Sequence, residues 1–207
     1  MRSFLFWEVK IVLGLEDEEQ RYGRNKETTI NSTYINGGDY RRKFDAISES
    51  ARLNRLLYFL AKRMLQHRSG TFYEDMYWID LDTLKVVAKE TSAKSQCEIV
   101  YSKKTKETIS KYDNLLTIHS HPSGLPPSEG DLLSNYTNGY SVGIIVGHNG
   151  SIYKYRLSES IPNGYYGTMV AKYMKRGYNN YEAQKKALAE MQKMYKLDFE
   201  EVVGYGI

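Results

Sequence analysis

Three of the four prolines in this 207-residue chain, Pro122, Pro126 and Pro127, fall within six positions of one another. Each fixes its own φ, lacks a backbone N–H and pushes its predecessor out of helical geometry, so residues 122–127 can only form a stiff, irregular loop. That loop separates two readable elements. Before it, the apolar run Leu115 to His119 reads as a short strand. After it, Ser128 suits a helix N-cap, with Glu129 and Asp131 in the first turn and Leu132 and Leu133 following.

Elsewhere the punctuation is clear. Leu53, Leu56, Leu57, Leu60, Met64 and Leu65 recur at helical spacing between Ser48 and Gln66, and Gly70 stops the pattern. Asp75 to Leu81 and Lys85 to Glu90 flank Asp82-Thr83 and predict a hairpin. Cys97 to Tyr101 reads as a further strand, with room for one helix in the polar stretch Ser102 to Asn114. Val142 to Gly147 and Ser151 to Leu157 enclose His148-Asn149-Gly150, whose Asn-Gly pair marks a tight turn. After Pro162, helices are expected around Thr168 to Lys175 and Tyr181 to Tyr195, broken at Asn179 and Asn180.

Residues 1–40 show no sustained period and read as an N-terminal extension, 41–160 as the main domain, and 161–207 as a C-terminal helical segment packed on that domain. With 41% hydrophobic and 26% charged residues, the chain is long enough to bury a core and is not disordered in composition. The apolar run Phe4 to Leu15 is interrupted by Glu8 and Lys10 and is shorter than the ~20 residues of a membrane span. A single cysteine, Cys97, cannot form an internal disulfide, which favours a reducing, cytoplasmic setting. The net charge of +4 permits loose attraction to nucleic acid without forming a basic stripe.

The segment around the proline loop carries the chemistry. His119 and His121, two apart at a strand end, project from one face while Ser120 points away. Two imidazoles can then meet one ion, and the returning helix offers Asp131. Two nitrogens and one oxygen suit Zn²⁺ with a fourth position left for water; a structural site would be closed by cysteines, of which there is one. Ordinary polar residues at a strand end are the competing reading. Chance produces His-x-His-Pro only ~0.0015 times in such a composition.

His119-Ser120-His121-Pro122 followed by Ser128-x-x-Asp131 resembles the signature of the JAB/MPN (JAMM) zinc metallopeptidases, over roughly residues 50–156, and is most similar to the bacterial, phage-associated and RadC-like branch. Nine residues separate His121 from Asp131, one fewer than the family's usual ten, while the Ser-x-x-Asp spacing is intact. The resemblance implies an α/β fold with a mixed sheet flanked by helices. It implies that His119, His121 and Asp131 hold zinc and that Ser128 donates a hydrogen bond to the tetrahedral intermediate. On that role Ser128→Ala should keep the metal and slow turnover.

The family also requires an upstream glutamate, on a strand after the first helix, to take a proton from water and return it to the leaving amine. Glu74 occupies that position, with Glu90, Glu98 and Glu107 as competitors; Asp75, adjacent on a strand, must face the other way. The implied reaction is metal-assisted hydrolysis of a peptide or isopeptide bond, with a peptide or protein substrate that includes carrier-protein tails. Two other functions compete. One is a silent MPN-type scaffold, which would lack the ligands present here. The other is a RadC-like DNA-associated or mobile-element role, resting on weak basic charge.

Other residues carry less. His67 at a helix end and His148 in a turn do not read as ligands. Cys97 reads as buried filler, and Arg41, Arg42, Lys43, Arg52, Arg55, Lys62 and Arg63 as a solvated helix face.

Overall fold

The structure, a computed structural model, describes residues 23–204, so the Phe4 to Leu15 run lies outside the described residues. Two short helices, α1 (Ser32–Ile35) and α2 (Gly38–Asp45), precede the long amphipathic helix α3 (Ala51–Arg68). Ser50 caps α3 by accepting the Leu53 N–H at 3.2 Å. At the other end Gly70, with φ +73°, turns the chain towards the sheet. The hairpin follows as β1 (Met76–Asp80) and β2 (Lys85–Glu90), then α4 (Lys103–Ile109), β3 (Leu115–His121), α5 (Glu129–Thr137), β4 (Val142–Gly147) and β5 (Ile152–Leu157). The chain closes with α6 (Tyr165–Met174), α7 (Asn180–Met194) and β6 (Leu197–Glu201).

The protein is α/β, and the described residues form a six-stranded mixed sheet in the order β2-β1-β3-β4-β5-β6. Among the described residues only β3 and β4 run parallel, joined by the crossover through the proline loop and α5; the other pairs are antiparallel. Strand alternation sorts the core into two layers. Tyr77, Ile79, Leu116, Ile118, Ile144, Val146 and Ile152 face α3 and bury Leu57, Leu60, Met64 and Leu65. The opposite face packs Ile145, Tyr153 and Tyr155 against Leu132 of α5 and Leu188 and Met191 of α7, with Met76, Trp78 and Leu115 in a neighbouring cluster. Each fully buried side chain of this kind contributes roughly 1.5–3 kcal/mol.

Three expectations change. The aperiodic stretch 1–40 reads as an extension, yet its described part supplies Ile30, Ile35 and Tyr40 to the α3 cluster. Short helices of four and eight residues show too little periodicity to be read locally. Cys97 to Tyr101 is not a strand. Both sides of β1 are already paired, and the segment is held by other bonds: the Cys97 N–H donates to the Phe72 carbonyl, and Tyr101 meets Trp78 edge-on at 4.9 Å. The C-terminal segment is not only helical, because β6 pairs with β5 and extends the sheet. Among the described residues no helix is long and apolar enough to cross a membrane.

Candidate metal centre

The register of β1 and β3 builds the site. Met76 lies opposite His119. One step further the Ser120 N–H donates to the Asp75 carbonyl and the Asp75 N–H donates to Ser120 Oγ, both at 3.0 Å. Continuing that register places Glu74 across from His121, on the face that His119 shares. Asp75 and Ser120 are thereby turned to the α3 side.

The proline loop then brings the third group back. Gly124, at φ +67°, donates its N–H to the His121 carbonyl, and a Cβ there would fall 2.3 Å from the Asn149 side chain. Beyond the loop Ser128 is the N-cap of α5 and Asp131 its third residue, linked in a reciprocal capping box. Asp131 thus reaches the two imidazoles because the cap fixes where the helix begins.

The three groups converge. His119 Nε2 and His121 Nε2 are 3.0 Å apart, His119 Nε2 is 3.2 Å from Asp131 Oδ1, and His121 Nε2 is 3.4 Å from Asp131 Oδ2. Ligands about 2.0 Å from a tetrahedral ion are about 3.3 Å apart. These separations are of that order but run to different oxygens of Asp131; with one ligand atom taken per residue the three atoms lie within 4.8 Å of one another, close enough for one metal ion. The Leu125 carbonyl, 2.9 Å from His121 Nδ1, can only accept, so it orients that ring with Nε2 towards the other ligands. His119 Nδ1 is buried without a hydrogen-bond partner in the described structure. Two imidazole nitrogens and one carboxylate converging on one point form a donor set that fits a cation, which would take the place of the shared proton.

The electrostatics agree. Burial alone would raise the Asp131 carboxyl, yet the facing His119 and His121 hold it well below the usual carboxylate range. Burial lowers the His121 imidazole, but Asp131, Glu74 and the Leu125 carbonyl outweigh it and bring it to about 9 with protein groups alone. The site therefore attracts positive charge.

Glu74 is buried and lines the same cavity of about 570 Å³ as the triad, together with Ser128, Leu125, Pro126 and Tyr155. It stands apart from the three-residue cluster that could hold an ion. Burial pushes its carboxyl up, against the pull of His121 and His119. Of its competitors, Glu90 is occupied by the α4 cap, accepting from the Ser102 N–H at 2.8 Å and the Thr105 hydroxyl at 2.5 Å. Glu107 lies at the surface near Lys103. Glu98 lines the cavity but is exposed on the irregular segment before α4.

Behind the site lies a second cluster that the sequence did not reveal. Asp75 Oδ2 is 2.5 Å from His67 Nδ1 and Asp75 Oδ1 is 2.6 Å from Arg68 Nε, all three groups buried. Arg68 also donates through Nη2 to the Thr91 carbonyl at 2.7 Å. Here the last turn of α3 sends His67 and Arg68 inward rather than to solvent. A signal existed, since Asp75 must face α3 if Glu74 faces the triad. His148 is likewise buried, its Nδ1 2.6 Å from the Thr28 carbonyl. Cys97, read from sequence as buried filler, is exposed and lines the cavity mouth with φ +54°; the segment that carries it is a turn and not a strand.

No family model, curated protein or solved structure matches this chain.

Proposed function

We propose that the protein is a zinc-dependent hydrolase of peptide or isopeptide bonds, of the JAMM type, acting in the cytoplasm on an extended peptide or protein tail. The observation that carries this reading is the pairing of a three-ligand group, His119, His121 and Asp131, with a separate buried carboxylate, Glu74, that lines the same open cavity. Two nitrogens and one oxygen within 4.8 Å of one another favour zinc over magnesium or calcium, which prefer all-oxygen shells. Three protein ligands leave a position open, as catalytic zinc sites do.

Bound there, zinc would supply a Lewis acid that polarises a carbonyl and makes a coordinated water acidic near neutral pH. The protein residues do the rest. His119 and His121 hold their Nε2 atoms at fixed spacing because one strand presents both, and the Leu125 carbonyl keeps the His121 ring from turning. Glu74, held up by burial, accepts a proton from water at its carboxylate and delivers it to the leaving amine. Leu125, Pro126 and Tyr155 line the cavity and would flank the scissile bond.

The test is metal content first and cleavage second. Purified protein should contain or take up one zinc per chain, and zinc at a hundredfold over its Kd should stabilise the fold by about 2.7 kcal/mol. Incubation with a peptide library, alongside single- and double-stranded nucleic acid, should give zinc-dependent peptide cleavage only. Absence of zinc uptake, or zinc-dependent nuclease activity without peptide cleavage, overturns the reading.

A further inference from the structure

We infer that Ser128 serves the metal through Asp131, as a positioning residue, in place of the oxyanion-donor role that the family resemblance implies. The inference rests on the proposed metal site and not on the reaction. Ser128 makes three hydrogen bonds to Asp131. Its Oγ accepts the Asp131 N–H at 3.2 Å, and both its backbone N–H and its hydroxyl donate to Asp131 Oδ2 at 2.7 Å.

A serine hydroxyl carries one proton. Committed to Oδ2, that proton is not available to an oxygen developing charge elsewhere in the cavity. The two bonds also differentiate the carboxylate oxygens. Oδ2 is loaded with two donors, which leaves Oδ1, 3.2 Å from His119 Nε2, as the oxygen with lone pairs to spare for an ion. The capping box therefore does more than start α5: it fixes the carboxylate's rotation and selects a one-oxygen contact.

Outer partners of metal ligands typically govern affinity by ten- to a hundredfold. The experiment is zinc affinity of the full-length chain by chelator competition, for the wild type, Ser128→Ala, Ser128→Gly and Ser128→Thr. Ser128→Ala and Ser128→Gly should bind zinc ten- to a hundredfold more weakly, and Ser128→Thr, which keeps the hydroxyl, should stay within about threefold. Glycine is nearly as good an N-cap as serine, so Ser128→Gly separates carboxylate positioning from helix capping. With cobalt in place of zinc, the visible spectrum of Ser128→Gly should shift relative to the wild type and that of Ser128→Thr should not. Wild-type zinc binding with unchanged affinity in Ser128→Ala and Ser128→Gly overturns this inference alone. A wild type that takes up no zinc overturns the metal site and this inference with it.

Discussion

Two acid–histidine clusters sit back to back where the segment leading into β1 meets the end of β3, their carboxylates Glu74 and Asp75 adjacent in sequence. On the front, Glu74, His119, His121 and Asp131 border an open cavity, and among the described residues no Lys or Arg pairs with either carboxylate. On the back, Asp75 binds His67 and Arg68 in a sealed core, anchored to Ser120. The residue types are nearly the same. What differs is the source of positive charge: the rear carboxylate meets the permanent cation of Arg68, whereas Asp131 at the front meets two imidazoles, whose nitrogens lie close enough to it to share one metal ion. A buried carboxylate needs a counter-charge, and an imidazole, unlike a guanidinium, can exchange its proton for a metal.

Removing a front ligand is the hardest blow to this division. His121→Ala should abolish zinc uptake and all zinc-dependent hydrolysis, read by elemental analysis and peptide cleavage, while His67→Ala on the back should keep one zinc per chain. Equal metal loss in both would erase the distinction. The next effect is catalytic: Glu74→Gln should retain zinc and lower kcat by about 10²–10⁴-fold, because the amide cannot take a proton. Since the folded protein already disfavours the charged form of Glu74, the metal-free variant should melt no lower than the wild type. Full activity in Glu74→Gln, with loss in Glu98→Gln, would move the base to the cavity rim.

On the back the expected damage is to stability. Asp75→Asn leaves Arg68 buried beside a neutral group and should cost about 3–5 kcal/mol in denaturant unfolding, with zinc stoichiometry unchanged. A variant that loses metal without losing stability would show that the rear carboxylate belongs to the metal site. The smallest effect is expected for Ser120→Ala, which strips the acceptor from the Asp75 N–H between the two ligand histidines and should cost about 1–3 kcal/mol. Zinc affinity within a few-fold of the wild type would confirm that the strand backbone, rather than this side chain, sets the histidine spacing.

The chain's local signals are legible without the fold. The proline loop, the Ser128 cap, the Asn149-Gly150 turn and the α3 periodicity each depend on atoms within a few positions of one another, so short-range sterics and hydrogen bonding suffice to determine them. His119 and His121 share a face by strand period alone. Glu74 is of another kind. Its place beside the histidines depends on the register of β1 against β3, a pairing of residues distant in sequence, such as Met76 with His119, that no local pattern encodes. The same holds for the inward turn of His67 and Arg68, which needs Asp75 in place. It holds too for β6, which becomes a strand only because β5 presents an edge, and for Ile30, Ile35 and Tyr40, which are core residues only because α3 lies over them. Local sequence is enough to mark the groups that could hold an ion and the places where the chain turns. Which carboxylate lines the cavity beside those groups and which meets Arg68 in the core follows from long-range register and from which buried charge finds a partner.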